Sequence, residues 1–179
     1  MCGATSDVGI CQSHHILCDS AWVVGERAGV LTQALNGFKF QRQRSGALVL
    51  GELLSLRIPH ISHKVVLVPI PTISSHIRER GYDQVLLLSQ QLGRLRHWPV
   101  QRLLVRNKNT TQHTVNRQQR KAQAWRAFVV DGGIDPDVTY VIVDDIITTG
   151  STVIAAINLL AMHGAQHVAV AAVAYQPLD

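Results

Sequence analysis

Residues 139–143 read TYVIV, an apolar and largely β-branched run, and two carboxylates, Asp144 and Asp145, come directly after it without a spacer. A run of that length and composition is a buried strand. Past Ile146 and Ile147 the chain turns polar again, in the hydroxyl-rich turn Thr148, Thr149, Gly150, Ser151, Thr152. The turn leads into a helical stretch over 152–163, and HVAVAAVA (167–174) reads as the next strand. Upstream, strand-like runs at 64–71, 100–105 and 127–130 alternate with helical periodicity over 83–96, where Val85, Leu88, Leu92 and Leu95 share one face. Strands alternating with helices predict an α/β fold, an open and mostly parallel sheet flanked by helices.

The remainder is less regular. Residues 1–24 are a poorly periodic lead-in, and 26–57 read as two helices broken near Gly37. Residues 106–125 are polar and basic with no apolar period, and are expected to form a long loop. The division this suggests is a lead-in and helical hood over 1–60 and a core over 61–179.

At 179 residues and 46% hydrophobic content, the chain is long enough for one domain with a real core. No apolar stretch approaches the ~20 residues of a membrane span, and the N-terminus shows no secretory pattern. Cys2, Cys11 and Cys18 are an odd number of cysteines, which favours a reducing compartment. The expectation is a cytoplasmic protein. Charge is segregated: from Gln84 to Val130 there is no Asp or Glu, whereas from Ala127 onward there is no Lys or Arg. A basic middle facing an acidic C-terminal third suits a ligand that is polyanionic at one end and polyhydroxylic at the other. A nucleic-acid surface is the alternative on composition alone.

In an open α/β sheet, ligands bind beyond the carboxyl ends of the strands, which is where Asp144 and Asp145 are delivered. Carboxylates only accept hydrogen bonds, so a neighbouring pair suits vicinal hydroxyls. The turn Thr148–Thr152 opens a helix whose first N–H groups are unpaired, an arrangement suited to phosphate. Phosphate beside a diol describes a ribose 5-phosphate. Adjacent Asp residues also serve as Mg²⁺ ligands or as part of a helix cap, and Thr/Ser runs also serve as simple caps. The stretch is not a Walker A loop, since no lysine comes after the glycine.

VIVDDIITTGST resembles the phosphoribosyl pyrophosphate (PRPP) binding motif of type I phosphoribosyltransferases. VPIPTISSHIRERGYDQ (68–84) and RNKNTTQHTVNRQQRKAQAWRAF (106–128) resemble segments of the ComF/GntX family, phosphoribosyltransferase-like proteins linked to competence and DNA utilisation. The resemblance implies that Asp144 and Asp145 hold the ribose hydroxyls and that Thr148, Thr149, Gly150, Ser151 and Thr152 cradle the 5-phosphate. It implies further that Arg78, Arg80 and Gly81 face the pyrophosphate, and that a flexible loop carrying Lys108, Arg117, Arg120 and Lys121 closes over the site. Lys39 lies where relatives often show a lysine between aromatics, and His113 is a candidate base. The implied reaction is Mg²⁺-dependent transfer of 5-phosphoribosyl from PRPP to an unidentified nitrogen nucleophile. The alternative is a non-catalytic PRPP or nucleotide sensor that handles single-stranded DNA or serves the DNA-uptake machinery. A homodimer is compatible with the resemblance, and no membrane partner is expected. Relatives commonly carry a four-cysteine zinc module. Here only Cys2, Cys11, His14 and Cys18 offer ligands, without a C-x-x-C pair, so zinc is not expected.

Overall fold

The computed structural model describes residues 18–40, 45–107 and 127–177. Strand β1 (Ser20–Glu26) leads to helices α1 (Gly29–Phe40) and α2 (Gly46–Arg57) and to strand β2 (Lys64–Pro69). Helices α3 (Ser74–Arg80) and α4 (Gln84–Arg96) come next, then strands β3 (Leu104–Arg106), β4 (Phe128–Val130) and β5 (Val138–Ile147). Helix α5 (Ser151–Met162) and strand β6 (His167–Tyr175) complete the described chain.

Four strands form a parallel sheet in the order β1-β6-β5-β2, and β3 and β4 form a separate antiparallel pair. The central strands β5 and β6 are buried almost end to end, the near-continuous apolar pattern of a sheet covered on both faces. Helices α2 and α4 pack on one another, α2 against β1 and β6 and α4 against β2 and β5, while α5 packs on β4, β5 and β6. The route from β1 to β2 and the route from β5 to β6 cross the sheet in opposite directions. Right-handed crossovers therefore set α5 on the face opposite α2 and α4. A single apolar cluster runs from Cys18 to Ala174 and includes Leu35, Phe38, Leu54, Leu67, Leu92, Ile142, Ile157 and Val170.

The structure departs from the sequence reading at several points along the sheet and its first helices. Residues 20–26 form an edge strand rather than part of a lead-in: β1 pairs with β6, Ser20 opposite Ala169 and Glu26 opposite Tyr175. No helical break occurs near Gly37, which is buried inside α1; that helix runs on to Phe40. The stretch 100–105 divides, because Val100 makes one parallel bridge to Leu67 while residues 104–106 pair with β4. Finally, β5 does not stop at residue 143.

That extension of β5 builds the site. β2 pairs with β5 only as far as Pro69 opposite Val143, and Pro71 then turns the chain away. β5 keeps its other neighbour for longer: Asp144 pairs with Ala172, Ile146 with Ala174 and Ile147 with Tyr175. Asp144 and Asp145 therefore lie on a strand that is still hydrogen-bonded on one side and open on the other.

Candidate functional site

The open side of β5 is a cavity of about 200 Å³. Its polar lining is Asp144 and Asp145 from β5, Lys39 from α1, Arg80 from α3, Gln84 from α4 and Arg106 from β3. Thr72 from the segment after β2, His76 from α3 and Thr152 from the first turn of α5 complete the polar lining. Elements far apart in sequence thus converge beyond the carboxyl ends of β2 and β5.

Asp145 is 5% exposed, and its Oδ2 lies 2.7 Å from Lys39 Nζ. Gln84, also buried, directs Nε2 to the same oxygen at 3.5 Å. Asp144 is half-buried, and its Oδ1 accepts the backbone N–H of Asp145 at 2.8 Å. Burial, reinforced by the neighbouring Asp145 charge, pushes the Asp144 carboxyl up to about 8, against the Asp145 N–H, Lys39 and Arg106, which pull it down. A carboxyl titrating near neutrality can donate or accept a proton at working pH. Burial in turn lowers the Arg106 guanidinium below its ordinary value, with the Asp144 charge opposing. Arg106 is held in place by donating Nε–H to Pro71 O at 2.9 Å, with its guanidinium 5.3 Å from the Phe128 ring centre.

The raised Asp144 value has a consequence for stability. The folded chain binds this proton more tightly than the unfolded chain, so the contribution to stability is complete below the ordinary carboxylate value of about 4. It is lost as pH rises through the folded value of about 8. Between pH ~5 and ~8.5 the melting temperature is expected to fall by roughly 10 °C for this group alone. Asp144→Asn should remove that part of the slope, and thermal unfolding of both proteins across the pH range checks it.

The loop after β2 is braced from a second direction. Thr72 Oγ1 donates to Asp83 Oδ1 at 2.8 Å, and the same carboxylate oxygen caps α4 by accepting the Leu86 N–H at 3.1 Å. Arg78 and Arg80 lie on α3, which ends at Gly81 in the left-handed conformation, φ 79°. Arg80 is buried and lines the cavity, whereas Arg78 is exposed and does not.

The hydroxyl-rich turn sits between β5 and α5 as expected. Gly150 caps α5 with φ 73°, a conformation that disfavours a side chain, and its carbonyl accepts the Ile154 N–H at 2.9 Å. Thr149 Oγ1 lies 3.0 Å from Ser151 Oγ, and the Ser151 N–H points to Thr149 Oγ1 at 3.4 Å. Thr148, Thr149 and Thr152 are exposed at this helix start, so their hydroxyls are presented to solvent.

Lys108, Arg117, Arg120, Lys121 and His113 lie outside the described residues, as do Cys2, Cys11 and His14. Cys18 is a buried core thiol just before β1, raised by burial and then by the charge of Asp19. Among the described residues, no three His, Cys, Asp or Glu side chains gather as a metal site, and no helix is long and apolar enough to cross a membrane.

Five polar lining residues are not assigned by the sequence alone: Lys39 has a position there but no specified role, and Thr72, His76, Gln84 and Arg106 have neither. The available signals are the aromatics on either side of Lys39, a glutamine directly after the Asp83 cap, and an arginine ending the short strand β3.

The phosphoribosyl transferase domain family matches residues 77–179. The DNA utilization protein YhgH of Escherichia coli (strain K12) is 32% identical over 155 residues, 82% of this chain and 68% of that protein. Competence protein F of Haemophilus influenzae is 31% identical over 172 residues, 90% of this chain and 75% of that protein. Among solved structures, the allosteric regulatory enzyme of purine biosynthesis superposes with a TM-score of 0.53 at 18% identity, over 78% of this chain and 30% of the other. The glutamine PRPP amidotransferase from B. subtilis, complexed with ADP and GMP, gives a TM-score of 0.52 at 17% identity, over 76% of this chain and 30% of the other. At these identities the structural likeness speaks for the fold.

Proposed function

We propose that this chain, which belongs to the ComF/GntX family of type I phosphoribosyltransferase-like proteins, binds PRPP and transfers its 5-phosphoribosyl group to a nitrogen nucleophile. The observation that carries this reading is the convergence of Lys39, Arg80 and Arg106 with Asp144 and Asp145 on one cavity beside the start of α5. Three cations answer a pyrophosphate, two carboxylates answer a ribose diol, and the turn 148–152 supplies donors for a 5-phosphate.

In the transfer, the bond from ribose C1 to the pyrophosphate oxygen breaks and a bond from nitrogen to C1 forms. The sugar becomes oxocarbenium-like on the way, and the leaving pyrophosphate carries away the electron pair. Preorganised charge around such a transition state is usually the largest catalytic contribution. Arg80 and Arg106 receive the leaving charge. Asp144 and Asp145 orient the sugar through its hydroxyls, and the nucleophile's proton has an acceptor in an ionised carboxylate. Asp144 and Asp145 are also hard oxygen donors of the kind Mg²⁺ takes alongside phosphate oxygens and water, so these two residues fit the ion. When bound, Mg²⁺ withdraws charge from the departing pyrophosphate.

A second reading is a PRPP sensor without turnover that serves DNA handling in the cytoplasm. It is favoured by relatives named for DNA utilization and competence. The deciding experiment is release of inorganic pyrophosphate after Mg–PRPP is added with a panel of nitrogen nucleophiles. Stoichiometric or faster release supports transfer. Tight binding without release under any nucleophile moves the assignment to the sensor, and absence of PRPP binding removes both.

A further inference from the structure

Lys39 Nζ and Asp145 Oδ2 form a 2.7 Å ion pair whose side chains are only 15% and 8% exposed. This pair lies inside the cavity, so the carboxylate expected to receive a ribose hydroxyl is already engaged by a cation from α1. The cation is not there by chance of a long side chain. Phe38, its neighbour on α1, is fully buried and packs on Tyr82 with ring centres 5.8 Å apart. The Tyr82 hydroxyl donates to Phe38 O. The residue before Lys39 is thereby tied to the segment that carries Arg80 and Gln84, and Gln84 meets the same carboxylate oxygen.

Separating a mostly buried ion pair leaves two charges to be satisfied, and leaving either one bare is strongly unfavourable. A ligand that brings hydroxyls alone satisfies Asp145 and strands the ammonium. A ligand that brings only an anion does the reverse. We propose that the Lys39–Asp145 ion pair is a latch that opens for a ligand presenting a vicinal diol and a pyrophosphate together, which makes Lys39 a specificity-determining residue. This inference rests on the PRPP reading above and deepens it: Lys39 leaves Asp145 to the sugar and joins Arg80 and Arg106 on the anion. The same device rejects a ribose 5-phosphate lacking the second anionic group, and so protects the site from occupation by a diol-bearing fragment.

The test is calorimetric titration of the full chain and its variants with Mg–PRPP, ribose 5-phosphate and inorganic pyrophosphate. The wild type is expected to prefer PRPP to ribose 5-phosphate by about 100-fold or more. In Lys39→Met the two sugar phosphates should move in opposite directions: PRPP weakens roughly tenfold and ribose 5-phosphate tightens roughly tenfold, since no ammonium has to be displaced. In Asp145→Asn pyrophosphate alone should tighten roughly tenfold, because Lys39 is released to meet it. Lys39→Arg, which keeps the cation, should restore most of the discrimination, an outcome a merely structural role for the lysine side chain would not produce. If the wild type binds PRPP and Lys39→Met weakens both sugar phosphates by the same factor, the latch is wrong and the PRPP site stands. If Lys39→Met does not fold, the Asp145→Asn pyrophosphate arm decides alone, and unchanged pyrophosphate affinity there overturns the latch. A wild type that binds none of the three ligands overturns the latch and the PRPP reading together.

Discussion

Replacing Asp144 and Asp145 together by asparagine is expected to weaken Mg–PRPP binding by about 100-fold or more while the protein stays folded. A hydrogen bond to a charged group contributes about 1.5–3 kcal/mol, and the double variant replaces both carboxyls that the proposed PRPP site uses for the diol. The shapes are conserved, so packing along β5 is retained. Asparagine at 144 also removes a carboxyl that burial already disfavours in its charged form, which offsets part of what the fold loses when Lys39 is left without Asp145. Calorimetry gives the affinity, and a thermal melt on the same samples shows whether the fold survived. A folded double variant with wild-type PRPP affinity would remove the carboxylates from the site.

The largest stability effect is expected away from the cavity, at Gly93→Val. Gly93 is buried in the last turns of α4, where the chain doubles back through His97, which holds a left-handed φ of 56°. A Cβ on residue 93 would stand 2.7 Å from Trp98 O and 3.0 Å from Val100 Cγ2. Both belong to the returning segment that lies along the outer edge of β2, where Leu67 N–H donates to Pro99 O and Gln101 N–H to Leu67 O, each at 2.9 Å. The closest clash is with backbone, which cannot swing aside as a side-chain tip would. Valine there should lower stability by about 3 kcal/mol or more, a drop of roughly 10 °C in melting temperature for a chain of this size. Urea titration of the variant measures it, and a loss below ~1 kcal/mol would show that the return segment is looser than its geometry implies.

The parts of the fold legible in the sequence are those whose local pattern and tertiary role agree. Helix α4 is announced by Val85, Leu88, Leu92 and Leu95 at helical spacing, of which Leu95 is exposed, and its observed bounds differ from the expected ones by one residue. The strand ending in two carboxylates is also readable, because an apolar run abutting Asp144 and Asp145 has few structural explanations. β1 is not: as an edge strand it is only partly buried along most of its length, and it lacks the continuous apolar run of β5. α3 is too short, seven residues of SSHIRER, to show a period. Arg78 and Arg80 look equivalent in sequence, but two residues on a helix are turned about 200° apart, so only one can face the cavity. Lys39, Gln84 and Arg106 come to the site through packing of α1, α4 and β3 around the end of β5, which no local pattern encodes.

The place of β1 in the sheet also dictates an order of events. Asp19, at its start, accepts the Val168 N–H through Oδ2 across 149 residues of chain, and the pairing of β1 with β6 is the sheet's longest-range contact in sequence. β1, α1, α2 and β2 all leave the ribosome before β6 exists. Trp22, Val23 and Val24 must therefore wait without their partner strand until β6 has been made. The closing entropy of so long a loop is met only by the final pairing step, and non-local parallel pairing is slow. Growing chains therefore carry an unpaired apolar segment until β6 emerges, the state in which chains aggregate and in which chaperones find their substrates.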